Sequence, residues 1–135
     1  MKKNFKKLIL LIFSLFLIVS FLNACSIFKT KPPAEALKER VEGLMNAKIA
    51  DDWGEYYTYL DSSYRNRVSK KDFMNMNRAM EFTKYTIESI DILESGEEAT
   101  VKVKGNYNMM AFNFKDQVEI QKWIKERFNW YMRMK

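Results

Sequence analysis

The strongest constraint on the fold is a long run of alternating side chains in the second half of the chain. Apolar and aromatic residues recur at nearly every second position from 99 to 109, namely Ala99, Val101, Val103, Tyr107 and Met109. A strand points successive side chains to opposite faces, so this alternation predicts a long strand with one buried face. Gly105 interrupts the pattern and predicts a kink that curves the strand.

The segment before this strand has helical periodicity. Residues 34–49 carry apolar side chains at helical spacing, and the face consists of Leu37, Val41, Leu44 and Met45. Asp52 followed by Glu55 predicts the cap of a second short helix, whose apolar stripe consists of Trp53, Tyr56, Tyr57 and Leu60. The run Asp61-Ser62-Ser63 predicts a stop and a turn. Ser69 predicts the cap of a third helical piece over residues 70–77.

Three further strands are predicted around the alternating one. Residues 82–93 are rich in Thr, Tyr and Ile, and their phase changes near Glu88-Ser89, which predicts a bulge. Ser95-Gly96-Glu97 predicts a hairpin turn. In the third strand we expect Val118, Ile120 and Ile124 to face inward. In the last strand we expect the same of Trp130, Met132 and Met134. Trp123 shares the phase of Gln121 and Lys125, so it is either exposed as a contact surface or turned inward by a bulge.

Helices followed by an antiparallel meander predict an α+β fold, with the helices packed on a curved antiparallel sheet of about four strands. The segments that carry a family resemblance are 50–53, 56–57, 63–65, 69–73 and the closing pair 121–124 and 129–132. Over residues 34–135 this order resembles the nuclear transport factor two-like (cystatin-like, SnoaL-like) superfamily. The resemblance implies a cone-shaped domain. That superfamily includes enzymes, transport adaptors and binding domains, so the resemblance does not fix the function.

The N-terminus has the pattern of an export signal. Residues 1–7 are basic, residues 8–22 are apolar, and Leu22-Asn23-Ala24-Cys25 follows. This end of the chain resembles a bacterial lipoprotein signal. The resemblance implies cleavage between Ala24 and Cys25 and a lipid on the Cys25 sulfur. An uncleaved anchor helix is the alternative.

These expectations divide the chain into a signal peptide (1–24), a lipidated tether (25–33) and a cystatin-like domain (34–135). They place the domain in the cell envelope, lipid-anchored on the extracytoplasmic side of a membrane. If the host has two membranes, Ser26 after the cysteine predicts that the lipid-anchored protein lies in the outer membrane.

Charge and composition exclude several classes of function. The chain has 23 basic and 17 acidic residues, but four of the lysines lie in the N-terminal signal, so the remainder is nearly balanced and we expect no nucleic-acid partner. There is one cysteine and no histidine, so an internal disulfide is excluded and a common metal ligand is absent. We expect no cofactor and no metal. The paired methionines at 74 and 76 and at 132 and 134 are expected to fill the core.

Six residues are the candidates for a pocket or a contact surface: Tyr57, Asp61, Tyr64, Tyr107, Trp123 and Trp130. Enzymes of the resembled superfamily use Asp, Tyr or His inside the cone. The simpler interpretation is that the tyrosines pack the core and Asp61 ends a helix. The basic cluster at 64–67 and 70–71 is either a solvated loop or a contact for anionic lipid.

Two functions follow from these candidates. The first is a non-catalytic binding or assembly module that meets an envelope protein or holds a small apolar ligand in its cone. The alternative is a small pocket enzyme of the isomerase or dehydratase type, in which Asp61 or a buried tyrosine, such as Tyr56, is the acid-base group.

Overall fold

The first helix of the domain, α1 (Pro33–Ile49), spans 17 residues. The structure, a computed structural model, describes residues 31–76 and 80–135. Pro33 suits the first position of a helix because a proline lacks the N–H that would have no partner there. The predicted apolar face is confirmed, since Leu37, Val41, Leu44 and Met45 are all buried.

Three short helices follow, α2 (Trp53–Thr58), α3 (Ser62–Arg67) and α4 (Lys70–Met76). The predicted cap of α2 is confirmed, because an Asp52 carboxylate oxygen accepts the Glu55 N–H at 2.8 Å. Ser69 caps α4 in the same way, through its hydroxyl and the Asp72 N–H. The predicted turn at Asp61 is wrong. A helix begins there, and Asp61 is its N-cap.

Four strands form one antiparallel sheet in the order β1 (Met80–Ile92), β2 (Glu98–Met109), β3 (Phe112–Glu126) and β4 (Asn129–Met132). The predicted α+β class is therefore confirmed, with helices followed by a curved four-stranded sheet. The register of β1 shifts between Ile87 and Ser89, where the sequence predicted a bulge. The register of β2 against β3 shifts just after Gly105, the predicted kink.

The predicted phase of β3 is wrong. Val118 and Ile120 are more than half exposed, while Gln121 and Trp123 are buried. The cause is the pairing with β2, which sets Gln121 opposite Val101 and Trp123 opposite Ala99. Because side chains alternate strictly along a strand, one register fixes the inward face of the whole segment. The pairing is regular around Trp123, so no bulge turns it inward.

The helices are joined to the sheet through β4. The Asp61 N–H donates to the Met132 carbonyl at 3.0 Å, and the Met132 N–H donates to the Tyr59 carbonyl at 2.8 Å. Trp130 and Met132 face inward and are buried, as predicted. Together with Trp123 and the apolar face of α1, they fill the interior of the domain between the helices and β4.

Candidate functional site

An open cleft remains between the C-terminal end of α1 and the far end of the sheet. Its volume is about 300 Å³. The side chains that shape it are Met45, Lys48, Phe82, Val103, Tyr107 and Glu119. We call this feature the cone cleft. Its walls are mostly apolar, and their polar side chains include Lys48, Gln117 and Glu119. Such a mixture is the usual character of a small-molecule site.

A chain of polar contacts runs from the core to the cone cleft. The Trp123 indole N–H donates to the Gln121 side-chain oxygen at 3.0 Å. The Gln121 amide donates to Glu119 Oε1 at 3.1 Å and also approaches the Met45 sulfur at 3.5 Å. Glu119 Oε2 accepts from Lys48 Nζ at 2.8 Å. This polar chain, Trp123–Gln121–Glu119–Lys48, gives each buried polar group a partner, as burial requires.

Lys48 is the most informative residue of the cleft. Its side chain is 9% exposed, whereas that of its partner Glu119 is 40% exposed. The ammonium nitrogen lies 4.1 Å from the centroid of the Phe82 ring, a cation–π contact. Within the described residues Glu119 is its hydrogen-bond acceptor. An ammonium has three donors, so Lys48 has donors left for an acceptor atom in the cleft.

Tyr56 lies beneath the cleft, with its ring 5.9 Å from Lys48 Nζ. Burial raises the pKa of its phenol well above the usual value, and the negative charge of Glu119 acts in the same direction. The phenol therefore keeps its proton throughout the physiological pH range. A group held so firmly in its neutral form is a poor general base.

An aromatic row begins in the wall of the cleft with Phe82 and Tyr107 and continues beyond it. The Phe82 and Tyr107 rings lie 5.5 Å apart, and Tyr107 stacks on Phe114 with centroids 4.9 Å apart. These side chains come from three neighbouring strands. The row continues to Phe112, which is 67% exposed.

Asp61 does not line the cleft. It is 2% exposed, and both of its oxygens accept backbone N–H groups: Oδ1 from Tyr64 at 3.1 Å and Oδ2 from Met134 at 2.9 Å. The carboxylate thus caps α3 and fastens the end of the chain after β4. Its position is that of a structural cap.

The other predicted residues separate into core and cleft. Trp123 and Trp130 are buried in the core. Tyr64 is buried with its ring edge-on to Phe73 at 6.1 Å. The Tyr57 hydroxyl lies 2.7 Å from the Val68 carbonyl, which holds α2 against the segment after α3. Of the six predicted residues, Tyr107 is the one that lines the cone cleft.

Asp51, which precedes the predicted cap at Asp52, and the paired methionines do not line the cone cleft. Asp51 adopts a left-handed backbone conformation and accepts a hydrogen bond from the Trp53 indole. Met132 is buried, but Met76 is 61% exposed and does not fill the core as predicted, because the short helix α4 buries only Phe73. Within residues 31–76 and 80–135 no group of three or more acidic, histidine or cysteine side chains is placed to hold a metal ion.

Sequence reasoning missed three members of the polar chain, Lys48 and Glu119, which line the cleft, and Gln121, which lies behind Glu119. Two signals pointed to them. Lys48 lies four residues after Leu44 and seven after Val41, so it continues the apolar face of α1. Glu119 and Gln121 share the phase of Trp123. A choice of the tryptophan phase as the buried one would have placed Glu119 and Gln121 inside, and an extension of the apolar face of α1 would have placed Lys48 there.

Comparisons with known proteins give likeness of fold. No family model matches the chain, and no curated protein matches it. A SEC-C motif containing protein from Rhodopseudomonas palustris superposes with a TM-score of 0.58 at 15% identity, over 78% of this chain and 80% of that one. A SEC-C motif containing protein from Psychrobacter arcticus gives 0.60 at 10% identity, over 80% and 64%. An LEH-like epoxide hydrolase from M. tuberculosis gives 0.52 at 12% identity, over 77% and 86%.

The family recognition made from the sequence is wrong. The similar structures are SEC-C motif proteins and an epoxide hydrolase, and none of these is described as a lipoprotein. The epoxide-hydrolase-like neighbour does fit the predicted cystatin-like (SnoaL-like) fold. Helices followed by a meander are shared by unrelated families, so this order identifies a fold without identifying a family.

The predictions for Ala24 and Cys25 lie outside the described residues. Within the described part of the chain, no helix has the length and apolar character needed to cross a membrane.

Proposed function

We propose that this domain is a non-catalytic binding module that holds a small, largely apolar ligand in the cone cleft. The observation that carries the proposal is the buried Lys48 in the wall of an open cleft of about 300 Å³, whose walls are otherwise mainly apolar and aromatic. Ligand sites in proteins combine such walls with a few polar groups that orient the ligand.

The charge balance of the cleft limits the ligand class. Lys48 and Glu119 form a pair 2.8 Å apart, so their charges largely cancel for a group approaching from the cleft. A charged ligand would gain attraction from one partner and repulsion from the other. A neutral acceptor, such as a carbonyl or hydroxyl oxygen, avoids that repulsion and satisfies a free donor of Lys48. The module is therefore suited to a small apolar molecule with one neutral oxygen.

Binding is better supported than acid-base catalysis. Asp61 is engaged by two backbone N–H groups and lies away from the cleft. Tyr56 is buried and its pKa is raised, so it neither accepts nor releases a proton readily. The two acid-base groups named for the isomerase or dehydratase alternative, Asp61 and Tyr56, are therefore poorly placed for it, and the carboxylate that does line the cone cleft, Glu119, is paired with Lys48.

Native mass spectrometry of the full chain, purified from its own host, tests the proposal. A mild detergent is included because residues 8–22 are apolar. The expected result is a bound small molecule at one per chain. Lys48→Met should lose it, because the methionine keeps an apolar stem but has no donor.

Lys71→Met is the matched control, because Lys71 is an exposed lysine of α4 that does not line the cleft. It should retain the ligand. A bare wild-type mass, or equal occupancy in the Lys48→Met variant, would overturn the proposal. A bare mass would direct the search to a protein partner.

A further inference from the structure

Two arginines meet at one tyrosine on a side of the domain away from the cone cleft. Arg40 on α1 places its guanidinium carbon 5.1 Å from the Tyr131 ring centroid. Arg65 on α3 places its own 5.3 Å from the same centroid. Arg40 also lies 4.2 Å from the ring of Tyr59. We call this group of four residues the arginine pair site, and none of its members lines the cone cleft.

The backbone of α1 prepares the position of Arg40. A side chain at Gly43 would collide with the Tyr59 phenol, so the missing Cβ lets Tyr59 lie directly against the helix. Arg40 packs over that ring and donates its Nε hydrogen to the Trp130 carbonyl at 2.9 Å. This contact fixes one edge of the guanidinium and leaves its terminal nitrogens available. Stacking on aromatic rings is a common way to hold an arginine in a defined orientation.

Neither guanidinium has an acidic partner among residues 31–76 and 80–135. Every ion pair found there involves other residues. The negative charge of Glu55 is close enough to raise the pKa of Arg40, but among the described residues Glu55 forms no ion pair with that arginine. The Nε atom of Arg65 is buried without any hydrogen-bond partner. A buried charged donor without an acceptor is unusual and indicates a missing one.

The charge of Arg40 is costly because the side chain is partly removed from solvent. Burial lowers the pKa of Arg40, while Tyr59, Tyr131 and Glu55 act in the opposite direction. The positive charge of Arg65 adds a smaller lowering. Two half-buried guanidiniums at one ring repel each other. An oxyanion bound by both would offset their like charges and supply acceptors to their free N–H donors.

We propose that Arg40 and Arg65 together bind an oxyanion, the phosphate or carboxylate group of a small molecule, beside the Tyr131 ring. The guanidinium fork matches both groups, because each offers two oxygens to parallel N–H donors. This site is separate from the ligand of the cone cleft, so either proposal can fail alone.

The test is nuclear magnetic resonance of the arginine Nε–Hε groups in the full chain, titrated with inorganic phosphate and with acetate at constant ionic strength. We expect the Arg65 signal to shift and saturate with at least one of the two anions, and not with chloride. Phosphate alone would identify a phosphate group, and acetate alone would identify a carboxylate. Saturation with both would identify a general oxyanion site.

Three variants make the test specific. Arg65→Met should abolish the saturable shift of the Arg40 signal. Arg65→Lys keeps the positive charge but loses the guanidinium fork, so it should weaken the affinity for the anion about tenfold, equivalent to 1.4 kcal/mol. Arg67→Met is the matched control on the same helix, because Arg67 is exposed and contacts the Tyr64 ring instead; it should bind normally. Failure of both anions to saturate the wild-type Arg65 signal would overturn the proposal, as would unchanged binding in Arg65→Lys.

Discussion

Replacement of Asp61 by alanine is the sharpest test of the assignment of this residue as a structural cap. The substitution leaves the Tyr64 and Met134 N–H groups without their acceptors, at a position that is 2% exposed. Loss of an N-cap costs about 0.5–2 kcal/mol, and a buried N–H without a partner costs about 1–3 kcal/mol. Because Met134 is only partly buried and water can reach it more easily, we expect a total loss of about 2–4 kcal/mol.

The assay is equilibrium unfolding in urea, followed by the fluorescence of the buried tryptophans. A loss of this size lowers the melting temperature of a domain of this length by roughly 10–25 °C. Asp52→Ala is the control, because Asp52 is also an N-cap but is exposed and accepts one N–H group, from Glu55. It should cost about 1 kcal/mol. Equal losses for the two variants would refute the argument that Asp61 joins α3 to the end of the chain.

Three further predictions concern the core and its edges. Gln121→Leu should lower the free energy of unfolding by about 1–3 kcal/mol, because it leaves the Trp123 indole N–H without an acceptor; urea unfolding measures this loss, and an unchanged midpoint would contradict it. Gly43→Ala should cost about 1–3 kcal/mol, because the new Cβ displaces the Tyr59 ring; a thermal melt with no change would show that the ring moves freely. Because the pKa of Tyr56 is raised in the folded chain, the unfolded chain releases the phenol proton above about pH 10 while the folded chain keeps it. The free energy of unfolding therefore falls with rising pH, by up to about 1.4 kcal/mol per pH unit. Urea midpoints between about pH 9 and 11 should fall less steeply in Tyr56→Phe, and equal slopes would contradict the assignment.

Local features of the fold were predictable because they depend on residues close together in sequence. The cap at Asp52 needs only its own carboxylate and an N–H three residues later. The turn at Gly96 needs a residue that tolerates positive φ, and Gly96 has φ of 71°. The bulge near Ser89 was visible as a change of phase within one strand. These elements fixed the order of helices and strands and hence the α+β class.

The phase of β3 was not predictable from its own residues. Both faces of this strand carry apolar side chains, with Val118 and Ile120 on one and Trp123 on the other. Alternation shows that the two faces differ, but it does not identify the buried one when both are partly apolar. The choice is made by the register with β2, which sets the Gln121 face against Val101 and the core. The cone cleft was missed because two of its polar residues belong to this face.

The sequence by itself determined the succession of elements, the helix caps, the turn and the curvature signals, because each is decided by neighbours along the chain. Only the tertiary structure decided which residues that are distant in sequence come into contact. Lys48 and Glu119 are 71 positions apart and form an ion pair, and Arg40 and Arg65 meet at Tyr131 from two helices and a strand. Such contacts depend on strand register and helix packing, which arise from the burial of the whole core. Both candidate sites therefore appear only in the folded domain.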